Sequence, residues 1–198
     1  MKPYSESCDQ NREPIQAVLD EFFADRKHVL EIASGTGQHA VYFGAALPHL
    51  IWQTSELAVN HAGIQLWLDE AQLPNVLPPL AIDVTAPDWP VAHPVDAIFN
   101  ANTVHIVSWP AVQQLFAGIG RVLAPGGVLC MYGPFNYGGR FTSESNARFD
   151  VWLKNRDPAS GVRDFEAINQ LADAQGLMLL RDIAMPANNR TLVWQRSA

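Results

Sequence analysis

Residues 29–40 constrain this chain more than any other stretch. Val29, Leu30, Ile32 and Ala33 form an apolar run that carries one acid, Glu31, and ends in Ser34-Gly35-Thr36-Gly37. A helical segment follows, over about 37–46, and Pro48 closes it. This is the layout of a strand, a tight glycine turn and a helix whose N-terminus faces a ligand. Glycines let backbone approach a nucleotide closely, and free N–H groups at a helix start favour polar or anionic groups. An ordinary βα turn has the same glycines, so the surrounding residues must decide between the two.

The rest of the chain keeps that alternation. Strands are expected over about 28–33, Leu50–Thr54, Val76–Ile82, Ala97–Ala101 and Val128–Gly133. Helices are expected over Pro14–Ala24, about 57–71, about 108–123 and about 164–175. Ala124-Pro125-Gly126-Gly127 reads as a stop and turn. Two strands close the chain, Leu177–Met185 and Thr191–Gln195, joined by Pro186-Ala187-Asn188-Asn189. Alternating strands and helices imply a parallel sheet with helices on both faces. A short turn between the last two strands forces them to pair antiparallel. The expected fold is therefore α/β and Rossmann-like: seven strands, mostly parallel, with a C-terminal antiparallel strand.

Bulk properties narrow the classes. At 198 residues, with 48% hydrophobic and 17% charged, the chain suits one α/β domain. A formal net charge of −7 and the lack of a basic run give no source for phosphate contacts, so no nucleic-acid partner is expected. No apolar run reaches bilayer length and the first residues hold no apolar signal region, so a cytoplasmic location is expected. Cys8 and Cys130 suggest no disulfide framework, and the six histidines have no ligand spacing, so no metal is expected.

Three acids fall near the ends of successive strands: Glu31, Glu56 and Asp83. Ligands of open α/β sheets bind beyond the carboxyl ends of the strands, at the switch in strand order. Glu56 lies 21 residues after Gly35, a distance that suits a ribose hydroxyl partner. It could equally cap the next helix, and Asp83 could be a turn residue before Val84-Thr85. A charge inside an apolar strand, as at Glu31, is costly unless paired or ligand-bound.

Glu31-Ile32-Ala33-Ser34-Gly35-Thr36-Gly37 resembles motif one of the class I S-adenosylmethionine (SAM)-dependent methyltransferases, with Ala33 in place of the first glycine. That family's fold is a seven-stranded sheet with a terminal antiparallel hairpin. More narrowly, the chain resembles the methyltransferase-like family catalogued as domain of unknown function 938. The residues that carry this are Asn11-Arg12-Glu13-Pro14-Ile15, Ala33–His39, Tyr132-Gly133-Pro134, Arg156-Asp157-Pro158, Arg163-Asp164 and Met185–Asn189. The resemblance implies SAM as cofactor. Glu31, Ala33, Ser34, Gly35 and Gly37 would lie along its amino-acid part, and Glu56 would hold the ribose. Asp83 and Val84 would contact adenine, and Asn100 and Ala101 would flank the methionine portion. Residues 1–25, through Asn11 and Arg12, would fold over it as a lid. NAD is the rival, since Gly35-Thr36-Gly37-Gln38-His39-Ala40 also fits the dinucleotide pattern. Glu31 and the lack of room for a substrate domain argue against it.

For chemistry, the candidates after the fourth and fifth strands are Asn102, His105, Tyr132, Asn136, Tyr137 and Arg140, with His105 and Tyr137 taken as catalytic. No Asn-Pro-Pro-Tyr motif follows the fourth strand, which argues against amide or nucleobase-amine methylation. Residues 135–164 form an insertion with a helix around 144–154 and four arginines, 140, 148, 156 and 163. One or more of these would meet an acidic group on a small acceptor, or else they pair with Asp150, Asp157 and Asp164. The expected function is methyl transfer to a small-molecule acceptor. The alternative is a SAM-binding, degenerate member of the fold acting as a sensor or interaction module.

Overall fold

The apolar run at His28–Ile32 becomes strand β1, and the other strands assemble around it. In the computed structural model, which describes residues 2–198, nine strands and six α-helices are formed. In chain order these are α1 (Glu6–Phe22), β1 (His28–Ile32), α2 (Gln38–Ala46), β2 (Ile51–Glu56), α3 (His61–Ala71), β3 (Val76–Ala81) and β4 (Val95–Ala101). Then follow α4 (Trp109–Val122), β5 (Leu123–Gly133), β6 (Phe135–Asn136), α5 (Glu144–Arg156), β7 (Arg163–Asp164), α6 (Phe165–Asp173), β8 (Leu177–Met185) and β9 (Asn189–Arg196). Seven strands form one sheet in the order β3-β2-β1-β4-β5-β9-β8. All pairs among β1–β5 are parallel, and β9 runs antiparallel to both neighbours. The strand order reverses between β1 and β4, which sets the switch point there.

Period-2 alternation sends side chains to two cores. Val29, Trp52, Phe99, Cys130 and Val193 meet α1, α2 and α3 through Ile15, Leu19, Phe43 and Ile64. Leu30, Ile32, Ile98, Met131, Leu192 and Trp194 meet α4 and α6 on the other face through Leu115, Phe116, Ile119 and Ile168. Both faces of the central strands are covered, as a parallel sheet requires.

Several expected boundaries shift, each for a visible reason. The first helix begins at Glu6, not Pro14, so Pro14 lies inside it and withholds one helical N–H. Tertiary contacts hold this end down. Ser5 N–H donates to Gln38 Oε1 at 2.6 Å, and Gln38 Nε2 donates back to Ser5 O at 3.2 Å. β2 extends to Glu56, which becomes the last residue of its strand. Ala124–Gly127 does not end the structure before β5. Val95 faces Leu123 and Ala97 faces Val128, so the glycines form a bulge within one strand. A 3₁₀ turn at Ala58–Asn60 precedes α3. The short parallel pair β6–β7 was not expected, because two-residue strands carry no periodicity. It closes the base of the 135–164 insertion, whose helix α5 runs slightly longer than expected.

Candidate functional site

The glycine turn is built for backbone exposure. Ala33, Gly35 and Gly37 all have positive φ, at 58°, 58° and 89°. A Cβ at Gly37 would stand 3.2 Å from the Ile64 backbone, so this glycine admits α3 closely. Gly35 faces open space. Its N–H donates to Glu56 Oε2 at 3.0 Å, while Glu56 Oε1 accepts from Leu57 N–H at 2.8 Å. Serines tie the turn to β2: Ser34 N–H donates to Ser55 O at 2.8 Å, and Ser55 Oγ donates to Glu31 O at 2.7 Å.

Glu31 is 2% exposed, and Trp52 Nε1 donates to its Oε2 at 3.0 Å. Burial pushes its carboxyl up to about 7, against the opposing bonds from Trp52 and Ser34. The sequence asked for a partner or a ligand at this acid; the fold supplies an indole from the next strand.

Asn100, at the end of β4, is fully buried. Its Nδ2 donates to Ile32 O and to Thr103 Oγ1, both at 2.8 Å. Donation to a carbonyl fixes the amide orientation, so Oδ1 is an acceptor, and it has no partner among the described residues. Asp83 forms the turn that was its plainer reading: Oδ1 accepts from Thr85 N–H at 2.8 Å and Thr85 Oγ1 at 2.7 Å. These bonds hold its carboxyl below the usual range. Val84 packs on the α4 side of the core, and Ala101 is half-buried at the end of β4.

The N-terminal pair separates. Asn11 is buried, with Oδ1 2.7 Å from His39 Nε2. It fastens α1 onto α2, and burial lowers His39 to about 4. Arg12 pairs with Asp9 at 2.8 Å and lies over the Tyr42 ring. It lines a groove of about 240 Å³ with Gln38, Tyr42 and Trp67, between α1, α2 and α3.

The two catalytic candidates also separate. Tyr137 Oη donates to Asp182 Oδ2 at 2.7 Å, and its ring stacks on Phe165. Burial and that bond raise its pKa, and the hydroxyl is engaged on β8. His105 is 2% exposed and meets the edge of Phe149 at 5.4 Å. Burial, then the Arg163 charge, lower it to about 4, so the imidazole is neutral at pH 7. Its Nδ1 is buried without a partner. Around it the insertion is anchored: Gly161 N–H donates to His105 O, and Ser160 Oγ to Ile106 O.

Among the described residues, none of the four arginines forms an ion pair with Asp150, Asp157 or Asp164. Arg163 donates to the carbonyls of Val104, Val107 and Ala159 at 2.7–3.0 Å. Arg148 lies 3.7 Å from Glu144, Arg156 stacks on Trp152, and Asp150 pairs with Lys154. Among the described residues no group of three or more His, Cys, Asp or Glu could hold a metal ion, and no helix is long and apolar enough to cross a membrane. Sequence reasoning missed Trp52, which gives no motif signal, and gave Gln38 and Gly133 no role of their own within the motifs; the bonds of Gln38 to Ser5 and the place of Gly133 beside His105 exist only in the fold.

A family model described as "Protein of unknown function (DUF938)" matches residues 2–196. Solved structures share the fold. An O-methyltransferase family protein from Burkholderia thailandensis superposes with a TM-score of 0.83 at 17% identity, covering 94% of this chain and 56% of that one. An O-methyltransferase family 2 protein from Planctomyces limnophilus, solved with apigenin, gives 0.82 at 15% identity over 94% and 56%. PigF, solved with SAH, gives 0.78 at 16% over 92% and 55%. The chain spans little more than half the length of these proteins. Their likeness establishes a methyltransferase-type fold.

Proposed function

We propose that this chain, which belongs to the family described as protein of unknown function DUF938, is a SAM-dependent methyltransferase acting on a small-molecule acceptor, with its residues forming one catalytic unit. The observation that carries this reading is Asn100 Oδ1, a buried acceptor left without a partner at the β1–β4 switch point. A buried amide oxygen lacking a hydrogen bond costs about 1–3 kcal/mol, and a cofactor ammonium group would satisfy it. The open turn at Gly35 and the carboxyls of Glu31 and Glu56 suit the rest of such a ligand, because a sulfonium and ribose hydroxyls tolerate acidic neighbours. A second phosphate-bearing nucleotide does not, which weighs against NAD.

In this reading Glu31, Ala33, Ser34, Gly35, Gly37, Asn100 and Ala101 hold the amino-acid part, Glu56 the ribose, and Asp83 with Val84 the adenine. Asn11 and Arg12, on α1, serve as the lid, Asn11 by fastening α1 to His39 of α2. When bound, the cofactor supplies an electrophilic methyl group. The protein's contribution is to position the nucleophile at near-attack distance. His105, beside the end of β4, is the candidate base; the burial that keeps it neutral also weakens it as a proton acceptor, so positioning carries most of the catalysis. Tyr137 is assigned to structure, since its hydroxyl is engaged by Asp182. The cofactor named for PigF and the small molecule named for the Planctomyces protein support this assignment by analogy of fold.

Calorimetric titration with SAM and, separately, NAD tests it. Micromolar SAM binding is expected, weakened at least about tenfold in Asp83→Asn. That variant keeps the Oδ1 acceptor for the Thr85 turn and converts the free oxygen into a donor. Absence of SAM binding, or NAD binding in its place, overturns the reading.

A further inference from the structure

Helix α5 is held to the body of the protein by one narrow stripe. Along its 13 residues only Asn146, Asp150 and Leu153 are buried, at spacings of four and three. On the opposite side Glu144, Arg148, Val151, Trp152 and Arg156 are exposed, with nothing over them among the described residues. Val151 and Trp152 stand side by side near the middle of the helix, 59% and 50% exposed.

Trp152 is fixed in place all the same. Its ring stacks on Phe149 at 5.7 Å, and the Arg156 guanidinium lies 4.6 Å from its centroid. Tryptophan and arginine are the residues that most often anchor protein interfaces. An anchor already ordered in the free chain loses little side-chain entropy on association.

Charge selects the partner. The chain carries a net −7, so two copies repel over most of their surfaces. Residues 138–160 are the exception, with Arg140, Arg148, Lys154 and Arg156 against Glu144, Asp150 and Asp157. The pattern on α5 also complements itself. Glu144, Arg148, Trp152 and Arg156 are spaced by four and form one ridge. Two such ridges laid side by side make the helices cross at about 50°, the commonest packing class. Run in opposite directions, they set each Glu144 against the partner's Arg156 and each Arg148 stem against the partner's Trp152. Within one chain the acid is only loosely engaged, since Arg148 lies 3.7 Å from Glu144 and both are exposed.

We propose that α5 is the contact face of a two-fold homodimer, in which two copies of the helix pack antiparallel along this ridge. The same patch serves both subunits, as a two-fold axis requires. One α5 is about 20 Å long, so the buried area lies at the small end of specific interfaces and the dissociation constant at about 10–100 µM. The dimer stands or falls apart from the methyltransferase reading.

Sedimentation equilibrium on the full chain, from about 5 to 500 µM so as to bracket that constant, is expected to show monomer and dimer in exchange. Glu144→Arg alone and Arg156→Glu alone each set like charges opposite one another, and each should weaken the dimer at least about tenfold. The double variant exchanges both signs and should return the dimer to within about threefold of the original. Trp152→Ala should leave monomer only. All three positions are exposed, and far-UV circular dichroism matching the original chain shows that α5 is intact in each variant. A chain that stays monomeric throughout overturns the proposal. So does a dimer that survives both single exchanges, or a double exchange no tighter than the single ones.

Discussion

Ala33 carries the clearest strain in the glycine turn. Its φ of 58° lies in the left-handed region, where a Cβ crowds the carbonyl oxygen at a cost of about 1–2 kcal/mol. The motif it resembles has glycine there, and the backbone has kept the glycine conformation. Ala33→Gly is therefore expected to stabilise the protein by about 0.5 kcal/mol, the relief being partly offset by the entropy of an added glycine in the unfolded chain. Urea denaturation would check this, and a loss of stability would show that the turn has adapted to alanine. Glu31 shows how far residue-level reading reached. That a buried acid needed a partner followed from the sequence; that Trp52 provides it followed only from the parallel β1–β2 register, which sets Val29 beside Trp52.

Among elements, the insertion departs most from its sequence reading. A polar stretch of 30 residues with one helix suits a lid or a binding element. In the fold it is fastened at both ends. β6–β7 and Arg163 hold the base, and Asn146 Nδ2 donates to Asn188 O at 3.0 Å to join α5 to the β8–β9 hairpin. A fixed wall is the better description. Arg163→Met removes three charge-assisted bonds to carbonyls and is expected to destabilise by about 2 kcal/mol. It should also speed limited proteolysis within 138–161 while SAM affinity stays within about twofold. Unchanged proteolysis would mean that β6–β7 and Asn146 suffice to anchor the segment. The hairpin was legible from Pro186–Asn189; its docking was not, because an Asn-to-carbonyl bond across 42 residues leaves no local signal.

For the whole molecule, three buried ionisable groups set the acid response with opposing signs. His39 and His105 are lowered from 6.5 to about 4, so their contribution is complete above pH 6.5 and is lost as pH falls towards 4. Glu31 is raised from 4.5 to about 7, so its contribution is complete below pH 4.5 and is lost as pH rises through 7. Between pH 4.5 and 6.5 two histidines oppose one glutamate, and unfolding takes up about one net proton. Stability should rise by roughly 1 kcal/mol per pH unit across that window and level off near pH 6.5. Guanidinium denaturation at pH 5, 6 and 7 would measure it. A flat profile would mean that the two imidazoles are solvated in the native state.

The sequence by itself determined the layer architecture, the antiparallel last strand, the glycine turn and which strand ends bear acids. These follow from periodicity, turn chemistry and motif spacing, all encoded within a few residues of each other. Only the tertiary structure decided that Arg12 pairs with Asp9, that Tyr137 is engaged by Asp182, and that Trp52 partners Glu31. The free acceptors on Asn100 and Asn136, and the unpartnered Nδ1 of His105, also emerged there. Whether a buried polar atom has a partner depends on contacts between residues distant in sequence, and the strand register and helix docking that create those contacts are properties of the packed molecule.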